Sequence, residues 1–401
     1  MKIKKRNKIK RKGLFCMAMA FVVLSASLYG CGKAEGGQET ESVVSADETA
    51  GTETKSDGEP ETEQAVELEE DQAVAFPENF SETIGNVTFN MDIVVDTDLT
   101  DSIVTAKAQM QKVNREKAFQ LFFGDIPTYD TYDYEEEDEY GETVHQVTYV
   151  SPEETTFSYG PQSSKFDFMK RNLMPYVLTA FVPFHDERYN ADLYGTETQL
   201  SFMSREDAFK TVQNALKEMN IQIEASYTGY SLDYETMQSQ EHHEDIDGNQ
   251  DRSQYKKQWT AADDCYYFYI NQTYRGLPVY YVQNEDFTDP EDINAPIQAV
   301  VSEKGIEWLN IGSVYAISDE QGGVSLADMD AVVKTAAEQC NQLSGDAAYE
   351  ITKAQLYYYV DLSSGMGTYD VKPVWILSGC EKGGKKMQIV IDAQTAEEIL
   401  P

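Results

Sequence analysis

The hydrophobic positions of this chain fall into three regimes: one unbroken apolar run, one long polar stretch, and a body in which apolar residues recur at strand or helix spacing. In the body, Val87, Phe89, Met91, Ile93 and Val95 alternate with polar residues, the period of a half-buried strand. Asn114-Arg-Glu-Lys-Ala-Phe119 opens a helix that Gly124 and Pro127 end. Residues 129–142 read as an acidic, Tyr-laden loop, followed by strands over 143–150 and 155–159. Ser204 caps a second helix whose buried stripe is Ala208, Val212, Ala215, Leu216 and Met219, and a strand over 221–234 comes after it. Residues 235–258 read as a polar insertion.

Two hairpins follow. One joins 265–271 to 277–282 through Tyr274-Arg-Gly276, and the other joins 297–301 to 306–311 through Lys304-Gly305. Ser325 is placed to cap a third helix with the stripe Met329, Val332, Val333, Ala336, Cys340 and Leu343. Strands over 356–361, 374–377 and 387–392 close the chain. Short helices each followed by antiparallel strands predict an α+β fold, and at about 325 residues the body is long enough for two domains, cut near residue 200 into 76–200 and 201–401. The helix starts at Asn114 and Ser204 match at Arg, Glu, Ala and Phe. That match reads either as a duplication or as the cap, acid and apolar residue common to many helix starts.

The regime before the body is an address. Lys2, Lys4, Lys5, Arg6, Lys8, Lys10, Arg11 and Lys12 precede the apolar run Leu14–Leu28, the architecture of a signal peptide over 1–30. A spanning helix needs about 20 apolar residues, so the run is short for a permanent anchor. Leu28-Tyr29-Gly30-Cys31 then resembles the lipobox of bacterial lipoproteins. The resemblance implies cleavage between Gly30 and Cys31 and lipid attachment at Cys31, with the rest of the chain on the extracytoplasmic face. Ser25-Ala26-Ser27 offers ordinary cleavage as the alternative, and Leu377-Ser-Gly-Cys380 fits the tetrad without a signal before it. Residues 32–75 hold no Phe, Tyr or Trp and 14 acidic against 2 basic residues. Such a segment lacks the surface to fold and is expected as a disordered tether with a reach of roughly 35 Å.

Charge narrows the partners. The chain carries −38, and −46 after residue 30, where 24 basic residues face 70 acidic ones. That surface repels phosphate backbones and anionic polymers, which excludes nucleic acid as a partner and leaves cations or a basic protein face, or plain solubility. Cys265, Cys340 and Cys380 sit in apolar segments and read as small buried hydrophobes rather than a disulfide framework.

A second resemblance covers roughly residues 204–401. Tyr269-Ile-Asn-Gln-Thr-Tyr-Arg-Gly276-Leu-Pro278-Val279 looks like the aromatic strand, Gly and Pro-Val of the PepSY and FTP pro-segment domains. Pro373-Val-Trp375 and Ile391-Asp-Ala-Gln-Thr-Ala-Glu397 look like the closing hairpin of that group and of the YycH/YycI-type regulators, with Ala396 where the group has Gly. The resemblance implies a non-catalytic domain that binds or restrains a neighbouring envelope protein.

Candidate chemistry is sparse. There is no His-Glu-x-x-His, Gly-x-Ser-x-Gly, phosphate loop or Cys-x-x-Cys, and His145, His185, His242 and His243 are the only histidines. No catalytic, cofactor or metal residue is expected. His243-Glu-Asp245-Ile-Asp247-Gly248-Asn249 is the nearest approach to a cation loop, but Gln254 stands where a closing Glu belongs, and a solvated loop is the alternative. Glu135 to Glu139 is an acidic run, read as an exposed face. With 56 acids after residue 75, any glycosidase pair would be invisible in the sequence, and the 26 Tyr with Trp259, Trp308 and Trp375 would furnish either a sugar-stacking face or ordinary sheet.

The chain is thus expected to be a membrane-anchored lipoprotein of a Gram-positive envelope that binds another envelope protein, or else a substrate- or carbohydrate-binding surface lipoprotein. Cys31→Ala is expected to abolish acylation, which mass spectrometry of the mature N-terminus reads directly; an unmodified chain beginning at Leu28 would mean ordinary secretion.

Overall fold

The computed structural model describes residues 76–95 and 103–399, apart from 125, 129, 138–142, 161–162, 186, 282–294, 319, 344–346, 365–366, 383 and 385. The signal, Gly30, Cys31 and the acidic tether lie outside the described residues. Those described belong to one compact unit, Asp71–Pro401. The fold is α+β, with five helices on a large, mostly antiparallel mixed sheet.

Two long strands frame its first part. β14 (Tyr349–Asp361) and β15 (Tyr369–Glu381) pair antiparallel almost end to end. Each is long enough to take two partners in succession along its outer edge. β2 (Val87–Val94) and then β10 (Leu277–Tyr280) run parallel to β14, while β16 (Lys386–Asp392) and β3 (Ala106–Met110) run antiparallel to β15. β1 (Asn79–Ile84) and β13 (Tyr315–Ser318) extend the flanks. The alternation read in the sequence holds in β2, where Val87, Phe89, Met91 and Ile93 are buried and the residues between them exposed. The long apolar face is closed by α5 (Met329–Leu343), whose Val332, Val333, Ala336 and Cys340 are all buried. Burial at such positions is worth about 1.5–3 kcal/mol for each large aliphatic side chain. Asp328, rather than Ser325, caps this helix, its Oδ1 accepting from Ala331 N at 2.8 Å. A carboxylate there also meets the positive end of the helix dipole.

β10 stitches the two parts together. Its first residues pair with β9 (Cys265–Tyr274) and its last with β14. The tight β9–β10 turn places Arg275 and Gly276 at φ 50° and 82°, the left-handed pair that a two-residue hairpin requires. β9 is the centre of the second part, flanked by β8 (Glu224–Leu232) and β11 (Ile297–Ser302), with β12 (Gly305–Ile311), β7 (Phe166–Met169), β6 (Thr156–Tyr159), β5 (Thr143–Val150) and β4 (Asp130–Glu137) beyond β11. Alternate residues of β9 feed two cores. Tyr266, Phe268 and Ile270 face α1 (Arg115–Phe122) and α3 (Arg205–Glu218), while Cys265, Tyr267 and Tyr269 face α2 (Met174–Ala180) and α4 (Tyr234–Gln240). That burial on both faces explains why 265–270 is apolar or aromatic without a polar alternate. Strands from before and after residue 200 pair with each other in both parts: β2 with β14, β3 with β15, and β7 with β12.

Two segments differ from the sequence reading. The expected acidic loop over 129–142 contains β4, which pairs residue for residue with β5. Backbone pairing is indifferent to side-chain charge, and an edge strand tolerates charge because one of its sides stays in water. The insertion over 235–258 begins with α4, capped by Asp233, whose Oδ1 accepts from Thr236 N at 2.9 Å.

Ala396 adopts φ 54° in the turn after β16, the left-handed conformation that Gly would take without strain. Gly379 illustrates the opposite constraint. It pairs with Ile351 where the β14–β15 register shifts, and a Cβ there would collide with the Glu350 carbonyl oxygen and stand 2.8 Å from Ile351 Cα. Both obstacles are backbone, so Gly379→Ala is expected to cost about 2–4 kcal/mol. Denaturant unfolding checks this, and a loss below about 0.5 kcal/mol would mean that the ladder relaxes without cost.

Candidate functional site

The insertion after α4 builds the most elaborate polar structure on the body, around one buried carboxylate. Glu241 directly follows α4, and its side chain is 1% exposed. Its Oε1 accepts from Lys256 N at 2.7 Å and His243 Nε2 at 3.0 Å, and its Oε2 from Trp259 Nε1 at 2.8 Å. Both oxygens are therefore committed. The contacts draw 243, 256 and 259 around Glu241 and fold the insertion back onto α2. His242 N donates to Thr179 O at 3.3 Å, and Thr179 Oγ1 lies 3.3 Å from His243 Nε2. Lys256 closes the arm from the other side, its Nζ 3.0 Å from Asp263 Oδ2 and over the Trp259 ring at 5.2 Å.

Outside this latch lies an open groove of about 700 Å³, walled by α2 and its approach on one side and residues 253–258 on the other. Tyr176 and Tyr255 flank His243 there, with ring centroids 6.1 and 5.5 Å from the imidazole. Asn172, Lys257 and Gln258 complete its rim. A second open concavity, about 540 Å³, lies across the 240–242 segment, lined by Arg188, Asp192, Gln240 and His242 among others. On β7 Asp167 Oδ2 accepts from Trp308 Nε1 at 3.0 Å and Asn310 Nδ2 at 3.2 Å. Burial pushes the Asp167 carboxyl up, and those two hydrogen bonds with the nearby Arg171 charge oppose the shift.

The sequence candidates fall as follows. His243 turns into Glu241 instead of joining the carboxylates after it. Asp245 spends its Oδ1 on its own loop, accepting from Asp247 N and Asn249 N at 2.9 Å each, and these bonds hold its carboxyl below the ordinary range. No group of three metal-ligating side chains gathers among the described residues. Glu135, Glu136 and Glu137 are strand residues of β4, while Asp138 and Glu139 lie outside the described residues. Trp259, Trp308 and Trp375 are 6%, 4% and 0% exposed, so they form no stacking face. Each is an apolar ring drawn into a core: Trp259 and Trp308 into the one under α2 and α4, Trp375 into the one under α5. Tyr358 is likewise buried, between Tyr357 and Tyr359 on the opposite face.

Cys265 and Cys340 are buried free thiols and Cys380 is a partly covered one. Burial raises the Cys265 thiol well above its ordinary value and the Cys340 thiol to about 11, which keeps both protonated and unreactive. Tyr176, Tyr255 and Lys257 were not distinguished by the sequence. The signal that marks them is local: Arg252, Lys256 and Lys257 crowd one stretch of a chain in which acids outnumber bases 70 to 32.

No family model matches the chain, and no curated protein sequence matches it. Among solved structures it is similar to the crystal structure of an uncharacterized protein from Eubacterium rectale ATCC 33656, at 17% identity and a TM-score of 0.51, over 81% of this chain and 94% of that one. The likeness shows a shared fold. The Bacillus megaterium YpeB C-terminal domain aligns over 71% of this chain and 92% of that one, at 9% identity and a TM-score of 0.27, too low to bear on the fold.

The latch makes a direct prediction. Glu241→Gln keeps the shape but turns an NH₂ toward a donor, so it is expected to cost about 1–3 kcal/mol. Hydrogen exchange at Lys256 N should accelerate while the β14–β15 amides stay protected; unchanged exchange at 256 would mean that the carboxylate does not hold the arm.

Proposed function

We propose that this is a lipid-anchored extracytoplasmic protein of a Gram-positive envelope whose body binds or modulates another envelope protein without catalysing a reaction. The observation that supports a binding role is the state of Glu241. The carboxylate–histidine pair beside the groove has the residue types of an acid–base site. Yet three donors, the facing imidazole nitrogen among them, hold the two carboxylate oxygens, and the side chain is 1% exposed. A general base needs a lone pair within reach of a substrate proton, and a carboxylate buried this deeply presents none to the groove, so the pair serves as a latch. Its neighbouring concavities are open, which suits a surface partner better than a sequestered reactant.

The address rests on the charged n-region, the apolar run and the Leu28–Cys31 tetrad. The PepSY-like reading of the C-terminal half rests on the Tyr269–Val279 hairpin and the closing turn. Those residues occupy β9–β10 and the strand-and-turn after β15, with Ala396 at the positive φ that a Gly would fill. A carbohydrate-binding lipoprotein is the second reading, favoured by the paired tyrosines and amide side chains of the groove.

Affinity capture from intact cells, with the full chain anchored through Cys31 as bait and the Cys31→Ala chain as control, tests the first reading. It predicts one envelope protein enriched about tenfold by the anchored bait and bound by the purified chain. Absence of any such protein, or turnover of an envelope polymer by the purified chain, would overturn it.

A further inference from the structure

The groove beside the latch is basic within an acidic chain. Lys170, Arg171, Arg252, Lys256 and Lys257 fall in the two short stretches that bound it. Structural duties absorb Lys170, at 3.6 Å from the buried Glu307, and Lys256, at 3.0 Å from Asp263. Lys257 has no ion pair among the described residues and stands at the rim with its charge in solvent. The side chains of Asn172 and Gln258 and the Tyr176 hydroxyl also lack a hydrogen-bond partner among the described residues. Arg171 and Arg252 likewise make no ion pair among the described residues but stand just outside the lining, so the rim itself offers Lys257 as its unpaired cation, two unpartnered amides and two tyrosine rings, beside a latch whose carboxylate is held by three donors.

These groups discriminate among anions. A phosphate or carboxylate group only accepts hydrogen bonds, so it would engage the NH₂ of Asn172 and Gln258 and make no use of their carbonyl oxygens. Sugar hydroxyls both donate and accept, which matches an amide's paired carbonyl and NH₂. Sugar rings also present apolar C–H faces, and a tyrosine offers an apolar face with a polar tip. A groove of about 700 Å³ has room for two or three rings. The geometry points to a binding site for a short saccharide bearing carboxylate groups, seated in the groove that Tyr176, His243 and Tyr255 line, with an acidic group at Lys257. The net charge of −38 repels such a ligand elsewhere on the surface, so the local cation is what admits it. This site deepens the carbohydrate reading above and is independent of the protein partner.

The test is calorimetric titration of the full chain in detergent with trigalacturonate and with uncharged maltotriose. Trigalacturonate is expected to bind in the millimolar range or tighter and about tenfold better than maltotriose, a margin that shrinks as salt is added. Lys257→Gln should weaken trigalacturonate about fivefold and leave maltotriose unchanged, while Asn172→Ala should weaken both. Both residues are exposed and unpartnered, so neither variant is expected to disturb folding. No binding of trigalacturonate at millimolar concentration, or binding indifferent to both variants, overturns the site. A triglutamate peptide bound as tightly as trigalacturonate overturns the saccharide assignment, because charge alone would then explain the affinity. None of these outcomes depends on the capture experiment, so the two readings fail separately.

Discussion

The pairing of β14 with β15 is the constraint on which the rest of the body depends. Twelve register pairs hold the two strands together, and each strand then has enough length to recruit two neighbours in tandem. The arrangement brings segments far apart in the chain into one sheet, since β2 and β3 enter from the N-terminal side and β10 from the middle. A single irregularity between Ile351 and Lys353 lets the same ladder accommodate β2 on its other side, where the register shifts at the same residues. Gly379 is the residue that allows β15 to pass that point. Without a side chain it fits where backbone atoms of β14 approach too closely for any Cβ.

Buried and half-buried carboxylates organise the second part. Glu307 is the extra residue of the bulge at Val300/Val301, and its Oε1 accepts from Ser302 Oγ at 2.6 Å while Lys170 lies 3.6 Å from Oε2. Asp167 holds Trp308 and Asn310, and Glu241 holds Trp259, His243 and the 256 amide. An ionised carboxylate is costly to bury unless donors surround it. Asp167 and Glu241 act as fixed acceptors that orient an indole, an amide or a loop, whereas Glu307 Oε2 takes no hydrogen bond and faces the Lys170 charge. The acidity of the chain therefore has two roles: repulsion and solubility at the surface, and acceptor geometry inside.

The groove inherits its shape from that second role. Tyr176 comes from α2 and Tyr255 from the arm, and only the Glu241 latch brings them to either side of one histidine. A rim with two amides and a lysine that have no partner among the described residues is suited to recognition. The saturated latch beneath it is suited to support.

The fold class, the helices opening after Asn114 and Ser204, strand β2 and the turns at 275–276 and 304–305 were legible in the sequence, because caps, period and left-handed turn residues are local properties. Three features were not. The β4 strand is written in charged residues, and only the partner strand supplies the reason for its extended shape. The tandem pairing along β14 and β15 depends on register between segments more than two hundred residues apart, which no local pattern encodes. The groove, finally, assembles side chains from residues 172–176 and 243–258, and its tyrosines look in sequence like any other strand or helix aromatics. What the sequence alone determined was local conformation and charge; which segments share a core, and which polar side chains are left over for a ligand, were decided by long-range packing around a few buried acceptors.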